Sequence, residues 1–182
     1  SVDPKDVRTA IEIATLAPSA HNIQPWKFVV VRERNKELAK LAYGTNFDQV
    51  SEAPVTIVLF SDTDLPKRAR KIARIGGAKN FSEEQLQYFL KNLPAEYTRY
   101  NEQQISDYLA LNAGLVAMNL VLALTDQGIG SNIILGFDKS KVNEVLDIDA
   151  RFRPELLITV GYTDKKLEPS YRLPVDEIIE KS

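Results

Sequence analysis

The order of apolar and polar positions divides the chain into short, well-separated elements. Val7, Ala10, Ile11, Ala14 and Ala17 recur at three- and four-residue spacing behind Asp3-Pro4. Asp suits an N-cap, and proline at the first helical position gives up an N–H that has no helical partner. The pattern predicts a helix that runs to Ala17 and stops at Pro18. Trp26–Val31 follows as a β-rich run, then a helix over about 33–43, then a buried strand from Pro54 to Phe60 bounded by Ser61-Asp62.

Residues 65–104 are polar and mostly helical in pattern, with Gly76-Gly77 and Pro94 as breaks. Residues 105–127 form the longest predicted helix. Leu109, Leu111, Ala113, Leu115, Val116, Met118, Leu120 and Val121 leave it almost no polar face. Such a helix belongs in a domain centre or a subunit interface. Gly128-Ile129-Gly130 closes it, and a short apolar run, a helix near 139–146 and a strand at about 155–162 lead to a proline-rich tail. Helices and strands alternate irregularly, without a strict βαβ order, so the expected class is α+β in a single domain spanning 1–182.

Composition narrows the chemistry. The 182 residues are 44 % hydrophobic and 26 % charged, with a net charge of −2, which argues against disorder and against a global basic field for nucleic acid or membrane surfaces. There is no cysteine, so disulfides and thiolate catalysis are excluded. A single histidine, His21, rules out a His-rich metal site. A redox reaction on this chain would need an organic cofactor to carry the electrons. No apolar run approaches the roughly 20 residues of a membrane span, and the N-terminus lacks the pattern of a signal peptide. A cytoplasmic location is the expectation.

The richest chemistry sits in Ala17-Pro18-Ser19-Ala20-His21-Asn22-Ile23-Gln24-Pro25-Trp26, where Ser, His, Asn and Gln crowd between a helix end and a strand. From the residues alone this is either a well-made turn, with Ser and Asn bonding local backbone, or a site for a polar heterocycle. The segment resembles the signature loop of the FMN-dependent nitroreductase family: Ala-Pro-Ser, a few small or polar residues, then Asn-x-Gln-Pro-Trp and a strand. Asn46-Phe47-Asp48-Gln49 is similar to the family's second flavin-contacting segment. Gly128 to Asp138 is similar to its loop past the flavin ring, and Arg172-Leu173-Pro174 to its phosphate-contacting tail.

The resemblance implies a nitroreductase-like sheet flanked by helices, dimeric through the long helix, with FMN at the interface of a homodimer. It implies that Ser19 and Asn22 hold polar atoms of the flavin, with Pro18 and Ala20 lining the site through backbone. Asn46 and Gln49 would bond the pyrimidine edge, a backbone N–H within Ile134-Leu135-Gly136 would approach N5, and Arg172 would pair with the phosphate. Two departures stand out. A basic cluster that many members carry would fall before Ser1, and Ser170 occupies the place of a frequent lysine, so Arg172 would carry the visible phosphate contact nearly alone.

The implied reaction passes electrons from NADH or NADPH through FMN to a nitroaromatic, quinone or flavin-like acceptor, in ping-pong order. The flavin carries the chemistry, so no protein residue is assigned as catalytic. His21, Tyr97 and Tyr100 are assigned to the substrate pocket. Alternatives are a specialised relative such as a reductive dehalogenase, or a flavin-binding protein without turnover. Trp26 reads as core. The basic run Lys67–Arg74 reads as a solvated helix face, with attraction of a nucleotide phosphate as the lesser alternative.

Overall fold

The computed structural model describes residues 1–77, 79–164 and 168–180. Its centre is a four-stranded antiparallel sheet of β1 (Trp26–Val31), β2 (Val55–Asp62), β3 (Gly130–Ile134) and β4 (Phe152–Gly161), in the order β1-β2-β4-β3. β2 is buried along its whole length, because the sheet is covered on both faces. Val55, Ile57 and Leu59 face one core with Leu156, Ile158 and Val160, while Val58, Phe60 and Leu157 face another. That alternation is the two-residue period of a strand.

The first core is closed by α1 (Pro4–Ala14) and α7 (Glu102–Asp126). The second is closed by α2 (Asn35–Ala39) and α8 (Val142–Leu146), and α3 (Asn46–Glu52) adds Val50 to it. A third apolar cluster joins α4 (Leu65–Gly77), α6 (Leu93–Tyr97) and the first half of α7 through Leu65, Ala69, Leu93, Tyr97 and Leu109. Ile23, from the polar loop, is its remaining buried member. Between α5 (Glu83–Gln87) and α6 the chain makes a π-helical turn, Tyr88–Asn92. The mixed helices and antiparallel sheet agree with the α+β expectation.

Several boundaries differ from the sequence pattern. Asp3 does cap α1, accepting from the Lys5 N–H at 2.8 Å, but the helix ends at Ala14. Leu16 and Ala17 bond back only three residues, so the stripe finishes in a tighter turn. α2 is shorter than 33–43, because Ala42 leaves the helix to bridge Phe137. α4 runs through Gly76 instead of breaking there, and a side chain at 76 would collide with the Phe81 ring. α3 was not anticipated; Thr45 supplies no side-chain cap, so the usual start signal is missing.

α7 corrects the expectation that nothing here is long and apolar enough to span a membrane, since by length and composition this helix is. It packs instead on α1, β1, β2 and β3. One face buries Leu109, Asn112, Ala113, Val116, Ala117, Leu120, Ala123 and Leu124. Gly128, at φ +72°, stops the helix in the left-handed conformation that glycine adopts without steric cost, and Ile129 N–H bonds back to Leu124.

Candidate functional site

The segment 17–25 is held in a shape that its sequence could not adopt without outside support. His21, Asn22 and Gln24 all have positive φ, at 54°, 50° and 48°, and such backbone persists only where neighbours fix it. Within the loop, Ser19 Oγ accepts from the Gln24 N–H at 3.0 Å. From outside, Asn112 of α7 reaches in with both ends of its amide. Its Oδ1 accepts from the Ala20 N–H at 3.0 Å, and its Nδ2 donates to the Tyr108 carbonyl at 2.7 Å. Arg68 of α4 donates to the carbonyls of Ile23 and Gln24. The local-turn reading of Ser19 is thus correct as far as it goes, but α7 and α4 set the loop's position.

One side of the loop is an aromatic wall. His21 Nδ1 lies 3.2 Å from the Tyr97 hydroxyl, Tyr97 and Tyr108 hydroxyls are 2.9 Å apart, and Tyr108 donates to the Ala20 carbonyl at 2.9 Å. The terminal carbonyl orders this chain. Tyr108 spends its proton on Ala20, so its oxygen accepts from Tyr97, whose own oxygen accepts the Nδ1 proton of His21. The Nδ1 proton is then committed to Tyr97, and Nε2 stands outside the chain of bonds. Burial raises the Tyr108 phenol to about 12, and burial followed by the Tyr108 hydrogen bond raises Tyr97 further. Both stay protonated at neutral pH, as the chain requires.

The three expected pocket residues therefore fare differently. His21 is exposed and Tyr100 is half-buried, with its hydroxyl donating to Glu96 at 3.3 Å. Tyr97 is 2 % exposed, which corrects its assignment as a substrate-facing ring. Its role in the protomer is to hold His21. The ring is covered because it joins the apolar cluster of α4, α6 and α7.

A second group of expected residues gathers where β3 ends. The Gly136 carbonyl accepts from the Tyr43 N–H at 2.9 Å and from Asn46 Nδ2 at 3.2 Å. A Cβ at Gly136 would sit 2.8 Å from that same nitrogen, so the amide reaches the backbone only because 136 is glycine. Asn132 Nδ2 donates to Gln49 Oε1 at 2.6 Å. These bonds leave Asn46 Oδ1 as an acceptor and the Gln49 amide nitrogen as a donor. An isoalloxazine edge, with one N–H between two carbonyls, needs that combination, so the residues present fit FMN. Leu135 is exposed and Ile134 is buried at the strand end.

Among the described residues, no hydrogen bond joins the Ser19–Asn22 loop to the Asn46–Gly136 group. Arg172 joins neither: it is exposed and donates to the Tyr171 carbonyl at 2.8 Å. Sequence reasoning missed Asn112, Tyr108 and Asn132, and it read Arg68 only as part of the basic run Lys67–Arg74. Asn112 carried a signal, being the polar position within the buried stripe of α7; Tyr108 and Asn132 carried none.

The pattern of the nitroreductase family matches residues 1–162. The chain belongs to the nitroreductase family. This membership places it among the oxidoreductases. It is 64 % identical over 180 residues to a protein of Streptococcus pyogenes serotype M6 provisionally named an NAD(P)H nitroreductase, covering 99 % of this chain and 90 % of that one. The fold matches a crystal structure of a nitroreductase family protein from Streptococcus pneumoniae TIGR4 with a TM-score of 0.97 and 88 % identity, over 100 % of this chain and 90 % of that one. It also matches a protein from Exiguobacterium sibiricum, provisionally called a nitroreductase, crystallised in complex with FMN. There the TM-score is 0.89 and the identity 27 %, over 100 % of this chain and 88 % of the other. The nitroreductase loop, read first as a resemblance, is therefore family membership.

Proposed function

We propose that this nitroreductase-family chain is an FMN-dependent oxidoreductase that takes electrons from NADH or NADPH and delivers them to a nitroaromatic, quinone or flavin-like acceptor, acting as a homodimer. The observation that carries the reading is the amide pair of Asn46 and Gln49 beside the Gly136 backbone, whose unspent acceptor and donor complement a flavin edge. The FMN complex of the Exiguobacterium sibiricum relative supports it.

Bound FMN supplies the hydride and electron chemistry that these side chains cannot. The chain's own work is binding and orientation. Asn46 and Gln49 fix the ring edge, Ser19 and Asn22 offer polar contacts from the loop, and Arg172 meets the phosphate. His21 and Tyr100 border the space for donor and acceptor molecules, which occupy it in turn. Stacking a planar acceptor at van der Waals distance, with water excluded, is the main rate contribution left to the protein.

The dimer is part of the proposal because, among the described residues, no hydrogen bond joins the two groups within one protomer. Opposite its buried stripe, α7 exposes Leu111 (68 %), Leu115 (40 %), Met118 (49 %) and Leu122 (57 %) at helical spacing. Ala113, Ala117, Ile133 and Leu135 line a groove of about 440 Å³ beside it. Soluble monomers rarely leave such a strip in water. A second copy on this face would bring one protomer's loop toward the other's Asn46–Gly136 group, and the exposed apolar residues of the tail, Leu173, Val175, Ile178 and Ile179, would extend the contact.

The test is the absorbance spectrum of purified protein. A yellow protein with about one FMN per chain, bleached by NADH or NADPH and recoloured by a quinone, is expected. A colourless protein that fails to take up FMN at micromolar concentration would refute the proposal, and a flavin that no nicotinamide bleaches would leave a binding protein.

A further inference from the structure

α4 presents one face to the core and a different one to a cavity. Leu65, Ala69 and Ala73 are buried. Lys67, Arg70, Lys71 and Arg74 are exposed, at the three- and four-residue spacing that puts them on one side of the helix. They line a cavity of about 490 Å³ together with Asp62, Arg68, Arg151 and Phe152. That volume is ample for a nucleotide-sized ligand. None of these residues belongs to the loop, the Asn46–Gly136 group or the tail.

The balance of charge inside this hollow is one-sided. Asp62 is the carboxylate of the lining, and it is buried and already engaged. Arg151 donates to its two oxygens at 2.6 and 2.5 Å, and the Asp64 N–H adds a bond at 3.1 Å. Asp64 also accepts from the Lys67 N–H at 2.9 Å, through backbone and not through the ammonium. Asp149, beyond Arg151, accepts from the Arg151 N–H at 2.8 Å. Lys27 brings a further cation over the Phe152 ring, 4.3 Å from its centroid.

Among the described residues, no carboxylate lies within 4.0 Å of the charged ends of Lys67, Arg68, Arg70, Lys71 or Arg74. The pairs 67/71 and 70/74 repel at i,i+4. A chain of net charge −2 thus gathers around one hollow four exposed cations with no carboxylate partner among the described residues, with Arg68 near Asp62 on the inner wall.

We propose that this hollow binds a small polyphosphorylated molecule through Lys67, Arg70, Lys71 and Arg74, with Arg68 on its inner wall. Several cations converging on a concave surface suit the clustered oxygens of linked phosphates better than a single carboxylate. The basic stripe spans eight residues of one helix, about 10 Å, and sits in a depression, whereas nucleic acid needs charge extended along a face.

Occupancy would also reach the functional loop. Arg68 donates to the carbonyls of Ile23 and Gln24, next to Asn22, and its burial there lowers its pKa from the ordinary guanidinium value, with the Asp62 charge opposing the fall and the Arg151 charge adding to it. An anion that draws Arg68 outward would loosen the loop. The site is therefore one from which a phosphorylated ligand could adjust flavin or substrate binding at a distance.

The test is calorimetric titration of the purified flavin-loaded protein with inorganic tripolyphosphate, at about 50 mM and about 300 mM salt. Expected are binding at low salt, weakening at high salt, and at least about tenfold weaker binding in the Lys67→Gln/Lys71→Gln double variant, the loss of a single charge-assisted bond being worth about that much. A circular-dichroism melt checks that the double variant is folded, and Lys36→Gln, on a distant exposed position, should bind like wild type. Displacement of tripolyphosphate by NADPH but not NADH would identify the dinucleotide's 2′-phosphate as the natural source. Displacement by ATP but not NADPH would identify a separate nucleotide. No binding at low salt, equal binding by the double variant, or tighter binding of a DNA duplex than of tripolyphosphate would overturn the proposal. Because the probe carries no flavin or nicotinamide, these outcomes stand apart from the redox assay.

Discussion

Asn112→Ala should loosen the functional loop without changing any residue of it. Asn112 is 1 % exposed, and its amide is one of two α7 groups, with the Tyr108 hydroxyl, that bond the backbone of a loop 92 residues away in sequence. The substitution removes two neutral hydrogen bonds, one from the Ala20 N–H and one to the Tyr108 carbonyl. At a net 0.5–1.5 kcal/mol each, the loss is about 1–3 kcal/mol. The Tyr108 carbonyl keeps its helical partner, so its share lies at the low end. The gap left by the truncated side chain adds to the total, and about 2 kcal/mol overall is expected.

That corresponds to roughly a thirtyfold rise in the unfolded fraction. Urea unfolding followed by circular dichroism, at one fixed protein concentration because self-assembly would contribute to stability, measures it. The loop must then be ordered at FMN's expense, so the dissociation constant should rise by about tenfold. Asn112→Leu separates the causes: it refills the space and leaves the Ala20 N–H unpaired. If hydrogen bonding dominates, Leu is no better than Ala. A variant within about 0.5 kcal/mol of wild type and with unchanged FMN affinity would refute the reasoning, since the strained loop would then hold its shape without the Asn112 amide.

Three further outcomes are expected. Arg172→Ala should weaken FMN more than riboflavin, by about 1.5–3 kcal/mol for a charge-assisted contact, while Asn22→Ala should weaken both alike; titrating each flavin against each variant decides this, and equal loss for Arg172→Ala would remove it from the phosphate. Leu115→Glu/Met118→Glu should halve the solution mass seen by light scattering and release flavin, whereas an unchanged mass would move the interface elsewhere. Tyr108 bears on alkaline stability. Its folded pKa is raised to about 12 from an ordinary value near 10, so its contribution is complete below about pH 10 and is lost as pH climbs through about 12. Tyr108→Phe should flatten the stability decline in that window, measured by chemical unfolding across pH; an undiminished decline would mean that other groups cause it.

Elements specified by local chemistry were legible in the sequence. Trp26–Val31 and the strand from residue 55 were legible because their β-branched and aromatic runs are bounded by turn residues, and α7 because its length and apolar content admit nothing else. The loop 17–26 was legible as a family signature through its order of residues, not through its polarity, which a simple turn would share. Short elements escaped where capping was absent, as in α3, or where a distant partner ended them, as Phe137 does for α2.

Only tertiary structure decided which residues meet. It placed Asn112 against Ala20, Arg68 against Ile23 and Gln24, and Asn46 against a glycine 90 residues on. It also buried Tyr97, whose spacing gave no hint that its hydroxyl would end between His21 and Tyr108. The division has a physical cause. Periodicity and capping energies act within a few residues and are written in the local sequence, whereas loop conformation, phenol burial and the charge of the α4 hollow depend on groups that approach only when the sheet order β1-β2-β4-β3 and its covering helices are complete.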